Sequence, residues 1–358
     1  MATPTSSSRI AYLDGIRTVA IVAVIGSHWG GSYLGIFQGG YIGVDLFFVL
    51  SGYIISKIVW RKRDTLTYGA FLVGRVRRLY PALIGVVVVT IGLIALVGSV
   101  PLGQAAQGGL FALVQVNSVV EGLHLASSDP FGVTWSLSAE WVFYLIWPLA
   151  IIFGRKLSAR QLGLMAAIAA AVLFAASLPT SPEWFYYGPE SRGAQLLAGS
   201  ATALLTVGWK PGPRSRRTFS LAAPAAVVFV AAWTVLGPDH FSPLYRVIGF
   251  PLATVAAVVL VLVGVVHASG AVSRALALPW MAAIGRASYS LYLWHVIPVM
   301  VLDKDMIPLP NIVLGVIGVI STVVLTYLSY RFLEKPFLRA RSRDIAAPDK
   351  TTTNRVAV

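Results

Sequence analysis

The chain has 358 residues, 57% of them hydrophobic and 12% charged, and its mean hydropathy is +0.76. That balance lies far from the soluble average and leaves room for one apolar helical bundle, not for a large soluble domain. The absence of cysteine excludes disulfides, thiolate metal sites and an acyl-cysteine intermediate, and the formal net charge of +14 suggests a nucleic-acid partner only until the charges are placed along the chain.

The first eight residues are polar, and no cleavage-site pattern follows the apolar run after Ile10, so 1–8 reads as a disordered tail and not as a signal peptide. Apolar segments then fall near 10–30, 41–60, 81–99, 134–154, 161–178, 192–208, 218–236, 246–266, 281–302 and 311–330, each about the length that crosses a bilayer as a helix. Residues 79–120 carry no charge and have room for a second crossing, but that crossing would invert every later loop. We therefore read 101–133 as an outer, partly re-entrant excursion, in keeping with Gln104, Gln107, Gln115 and Asn117. Residues 344–358 read as a second disordered tail. The expectation is an all-α polytopic membrane bundle of about ten transmembrane helices, a single domain over 9–343.

With the N-terminus inside, all of the 28 Lys and Arg except Arg192, Arg246 and Lys304 fall in inner loops or at inner helix ends. Glu121, Asp129, Glu183, Glu190, Asp239, Asp303 and Asp305 fall outside. This asymmetry puts both termini in the cytoplasm and turns the basic excess into a topology signal. The partner it implies is a lipid bilayer, with no nucleic acid.

Placed by depth, the polar residues separate. Arg17 and His28 are eleven residues apart, about three helical turns, and share a face with roughly 16 Å between them. His28, Asp45, Glu140 and His295 fall in the outer half, whereas Arg17, Arg75, Arg77, Arg78 and Arg286 fall toward the inner half. Ionisable groups at such depth mark a pathway or a site by default. The pattern suggests an anionic ligand entering from the inside and proton chemistry near the outer face. Taken singly, each has a duller explanation: Arg17 snorkels, Asp45 and Glu140 brace helices, Tyr289, Tyr292 and His295 are interior groups, and the arginine run sets topology. His124 and Asp129 have the H-x-x-x-x-D spacing of a glycerolipid acyltransferase dyad, but in an outer loop away from any cytosolic donor. No G-x-S-x-G, P-loop or H-E-x-x-H is present, and no metal site is expected.

In order along the chain stand Tyr12-Leu13-Asp14-Gly15-Ile16-Arg17, His28, Gly43-Val44-Asp45-Leu46-Phe47-Phe48, Arg75-Val76-Arg77-Arg78-Leu79-Tyr80-Pro81, Thr134-Trp135-Ser136-Leu137 with Glu140 and Tyr144, Ser288-Tyr289-Ser290-Leu291-Tyr292-Leu293-Trp294-His295, and Glu334-Lys335-Pro336. This series resembles the acyltransferase-3 family of membrane O-acyltransferases, from about Tyr12 to Pro336, in the stand-alone form without a fused esterase-like domain. The resemblance implies a multi-pass protein of a bacterial inner membrane. It would move an acyl group from cytoplasmic acyl-CoA, a co-substrate and not a bound cofactor, to a hydroxyl of a cell-envelope glycan or a glycosylated small molecule. It implies His28 and Arg17 as the catalytic pair, with Glu140 and Asp45 in support. Arg75, Arg77, Arg78 and Arg286 would hold the CoA phosphates, and Ser136, Tyr144, Tyr289, Tyr292 and His295 would line the substrate path. His28 acts as general base or through a transient acyl-His28. Two rival expectations remain: a macrolide-antibiotic O-acyltransferase, and a transporter of a polar metabolite.

Overall fold

The computed structural model describes residues 6–30, 36–301 and 309–337; the expected tails, apart from Ser6–Ser8, and the outer charges Asp303, Lys304 and Asp305 lie outside them. The described residues are almost entirely helical and contain no strand. In chain order the helices are α1 (Ser6–Ile25), α2 (Ile42–Lys62), α3 (Tyr68–Val97), α4 (Leu102–Val114), α5 (Asn117–Gly122), α6 (Trp135–Phe153), α7 (Ala159–Ser177) and α8 (Pro182–Tyr187). They continue with α9 (Pro189–Leu205), α10 (Pro213–Leu236), α11 (Phe250–Val265), α12 (Ala271–Leu276), α13 (Pro279–Arg286), α14 (Ser288–Trp294), α15 (Ile297–Val301) and α16 (Asn311–Ser329). Among the described residues, seven helical stretches are long and apolar enough to cross a membrane: Gln38–Lys62, Tyr68–Val97, Gly132–Phe153, Ala159–Ser177, Pro213–Leu236, Tyr245–Val265 and Ile312–Phe337. The protein is a polytopic membrane bundle.

Local chemistry sets the helix starts. Thr67 caps α3 by accepting from Ala70 N, Ser158 forms a capping box with Gln161 on α7, and α8, α9, α10 and α13 each carry proline in the first turn. Helix α3 begins 13 residues before the apolar run expected at 81–99, so Arg75, Arg77 and Arg78 lie on a helix face instead of in a loop. The 101–133 segment is not a full crossing. Helix α4 has 13 residues, and its last turn abuts the middle of α3, where Tyr80 OH donates to Leu113 O at 2.9 Å.

The expected single helix at 281–302 is broken into α13, α14 and α15. Pro298 has no N–H for the carbonyl of Trp294, and the ladder lapses just before it, at His295 and Val296. The chain also leaves regular helix at Gly26–Gly30, a π-helical turn that carries His28.

The centre of the bundle depends on small residues. A Cβ on Gly52 would lie 1.8 Å from Leu196 O, and one on Gly199 would lie 1.9 Å from Val49 O, so α2 and α9 touch backbone to backbone. Helix α1 packs against the far end of the chain: Tyr12 OH donates to Leu260 O at 2.9 Å and Thr18 Oγ1 to Met281 O at 2.5 Å.

Candidate active site

A cavity of about 90 Å³ lies among α1, α2, α3, α6 and α14, and eight of the expected site residues line it: Arg17, Arg75, Arg78, Ser136, Glu140, Tyr144, Tyr289 and Tyr292. Arg75 is 2% exposed and lies against the rings of Phe71 and Tyr144, 5.4 and 5.9 Å from their centroids. Arg17 lies within electrostatic reach of Arg78, Asp14, Glu140 and Glu334, and its buried Nε makes no hydrogen bond. Three guanidinium groups therefore face one small space with Glu140 as the carboxylate among its lining residues. Such a space suits an anionic or strongly polarised ligand.

Tyr144 OH donates to Glu140 within the cavity, whereas Tyr289 and Tyr292 direct their hydroxyl protons to backbone carbonyls. Tyr289 OH is used up on Leu79 O at 2.8 Å, tying α14 to α3. Tyr292 OH donates to Val133 O at 2.7 Å, so Ser136 Oγ is the donor in its 2.7 Å contact with that hydroxyl. Beyond Tyr292, 5.5 Å ring to ring, stands the fully buried His295. His295 meets His28 edge to face, with ring centroids 4.8 Å apart.

The partners of these two histidines fix their tautomers. His28 Nδ1 lies 2.9 Å from Val24 O, and His295 Nδ1 lies 2.6 Å from Tyr292 O. A carbonyl only accepts, so both Nδ1 atoms carry the proton. His295 Nε2 then faces the Nδ1–H of His28 with a lone pair, at 3.4 Å. The basic nitrogen left to His28 is Nε2.

The four ionisable groups expected to converge in the outer half do not form one cluster. Glu140 joins the arginine cavity, and His28 joins His295. Asp45 sits apart, fully buried, where Arg192 Nη1 donates to Oδ1 at 2.7 Å and Tyr245 OH lies 2.9 and 3.0 Å from its two oxygens. Arg192 Nε donates to Tyr186 O at 2.6 Å, and its guanidinium lies 4.6 Å from the Tyr186 ring centroid and 5.2 Å from that of Trp135. Arg77 is exposed on α3. Arg286 is half exposed, with Nη1 3.9 Å from Asp14 Oδ2, and lies outside the cavity lining. His124 and Asp129 are both exposed, and Asp129 accepts from Ser127.

Two charged residues had no assigned role. Arg192 counted only as an outer charge at the start of an apolar segment, whereas it lies one turn into α9 and fully buried, where a cation calls for a buried anion. Glu334, 2% exposed, accepts from Ser290 Oγ at 2.9 Å and shares a field with Arg17 and Arg78. Between α10 and α11, burial among the rings of Tyr41, Tyr186 and Phe241 holds His240 below the usual histidine range. Arg192 and His28 push the same way, and the adjacent Asp239 works against them.

The sequence model of a family described as "Acyltransferase domain" matches residues 10–331. The chain is 29% identical over 356 residues to the peptidoglycan O-acetyltransferase OatA of Listeria monocytogenes, covering 92% of this chain and 56% of that protein. It is 25% identical over 357 residues to the O-acetyltransferase OatA of Staphylococcus aureus, covering 90% of this chain and 56% of that protein. It thus spans about half the length of the curated relatives it matches. No solved structure matches it. With the family match running through nearly every helix that builds the cavity and the histidine pair, the chain belongs to this membrane acyltransferase family.

Proposed function

We propose that the protein is a membrane O-acyltransferase that carries an acyl group from cytoplasmic acyl-CoA to a hydroxyl of a cell-wall glycan on the outer face. The observation that carries this reading is a line of polar groups across the bundle. It runs from Arg17, Arg75 and Arg78 past Ser136 and Tyr292 to His295 and His28. The Listeria monocytogenes relative acts on peptidoglycan by its name, which favours the glycan as acceptor over an antibiotic. Both termini lie on the cytoplasmic side, as the charge asymmetry requires.

The cavity is smaller than the ~300–1,000 Å³ of ordinary ligand sites, so only the thioester end of the donor enters it and the nucleotide stays outside. Arg77 and Arg286, exposed and outside the cavity lining, meet its phosphates there. At the far end, His28 Nε2 takes the proton as the acceptor oxygen attacks the thioester carbonyl. The C–S bond then breaks, the ester forms, and the departing thiolate receives the proton to leave as free CoA. His295 Nε2 and Val24 O accept from the Nδ1–H of His28 and so stabilise its cation. A positioned base of this kind contributes roughly 10²–10⁴ in rate.

The test is acyl-CoA turnover by purified wild type and His28→Ala, with short and branched acyl groups and donor binding measured alongside. The reading expects wild type to bind and turn over at least one donor, and His28→Ala to bind it but lose turnover. If neither protein binds any acyl-CoA, the donor model fails and transport of a polar metabolite replaces it.

A further inference from the structure

We propose that the chain has a second anion site, at its basic end and on another face of α2 from the Arg17 cavity, which takes a phosphate-bearing ligand. A cavity of about 370 Å³ opens there between the last turns of α2 and α9, lined by Lys57, Trp60, Arg61, Arg63, Thr206 and Trp209 among others. By volume it falls within the ~300–1,000 Å³ of ligand sites. None of its lining residues is acidic.

Two of its cations are held in place by aromatic rings. Lys57 Nζ donates to Tyr53 OH at 3.1 Å and lies 5.2 Å from that ring's centroid. The Arg63 guanidinium stacks 3.9 Å over the Trp60 ring, and its Nη1 donates to Trp60 O at 3.3 Å. The Nε of Arg63 is buried and makes no hydrogen bond. Its nearest carboxylate, Asp64, is 3.9 Å away and 75% exposed, a pairing worth little in water. Gly208, at φ +73°, turns the chain after α9 so that Trp209, 39% exposed, returns to the cavity wall.

A basic last turn suits the negative end of α2 and the positive-inside pattern without any ligand. Neither effect calls for a walled cavity of ligand size, or for a guanidinium held flat on a ring with Nε unsatisfied. Guanidinium forks beside an ammonium recognise phosphate oxygens. The phosphate has two possible sources: the headgroup of an anionic phospholipid, for which basic pockets between helices at the inner surface are built, or a soluble phosphate ester. The site stands independently of the transfer reaction.

The experiment uses the full chain. In nanodiscs of phosphatidylcholine with or without phosphatidylglycerol, native mass spectrometry counts retained lipid. In detergent, pyrophosphate is titrated while the unfolding midpoint is followed. Wild type is compared with Lys57→Gln/Arg61→Gln/Arg63→Gln and with Arg214→Gln/Arg216→Gln/Arg217→Gln, which removes equal charge outside the cavity. The expected result is binding by wild type and by the second variant, and a loss of roughly a hundredfold in the first, about fivefold per cation. Retention of phosphatidylglycerol alone assigns the lipid source, and a pyrophosphate shift assigns the soluble ester. Absence of both in wild type, or equal loss in both triple variants, overturns the site. Should the first variant not fold, Arg63→Gln alone decides by a fivefold loss or none.

Discussion

The bundle buries two sets of charge and treats them differently. At Asp45 and Arg192, cation meets anion at 2.7 Å, a tyrosine hydroxyl touches both carboxylate oxygens, and aromatic rings close over the guanidinium. In the α1–α3–α6 cavity, three cations, Arg17, Arg75 and Arg78, line one space with a single carboxylate, Glu140, which accepts from the Tyr144 hydroxyl, and Arg17 Nε makes no hydrogen bond. This matched pair acts as a brace between α2 and α9, with one guanidinium nitrogen, Nη2 of Arg192, buried without a hydrogen bond. Three cations with one carboxylate carry the desolvation penalty of buried charge without a matching number of anions, an imbalance that the proposed acyl donor would relieve.

That contrast can be broken experimentally. The largest effect is expected from Arg192→Leu, which strands Asp45 in the core and should cost about 3–5 kcal/mol in unfolding experiments; a loss under 1 kcal/mol would show the brace to be incidental. Arg17→Gln should leave stability within about 0.5 kcal/mol of wild type. It should nevertheless weaken donor binding roughly tenfold to a hundredfold, the worth of a charge-assisted hydrogen bond. Equal damage to folding would make that cavity a brace as well. Gly199→Ala pushes a methyl into Val49 O and should destabilise by about 1–3 kcal/mol, read as a lowered midpoint.

The smallest effect concerns His240. Its proton affinity is depressed in the folded state, so the unfolded chain binds the proton first. Stability should therefore be unaffected well above about pH 6.5 and should fall as the pH drops below it. His240→Gln should flatten that limb of a stability–pH profile.

Much of this architecture was legible because membrane thickness imposes a length on every apolar run: segments expected at 161–178 and 246–266 appear as Ala159–Ser177 and Tyr245–Val265. What was hidden has local causes. Arginines at 75–78 look like a loop to any hydropathy reading, although Thr67 had already started the helix. Pro298 breaks a segment whose composition reads as continuous. For the site, depth grouped Arg17, Arg75 and Arg78, because charge is scarce enough there to be conspicuous, but it also counted Arg77 and Arg286, which lie outside the cavity lining. The partition of Asp45 and Glu140 into separate clusters was not legible, since the choice was made by Arg192, 147 residues from Asp45, and a pairing over that distance leaves no periodic trace.

The contact between His28 and His295 joins residues 267 positions apart. As the chain emerges from the ribosome, the first helix therefore enters the membrane long before the segment that completes its histidine pair exists. Until α11 and α13 are inserted, α1 lacks the neighbours for Tyr12 and Thr18 as well. The order of synthesis thus leaves a truncated or half-inserted chain without the histidine pair, which exists only once the bundle is closed.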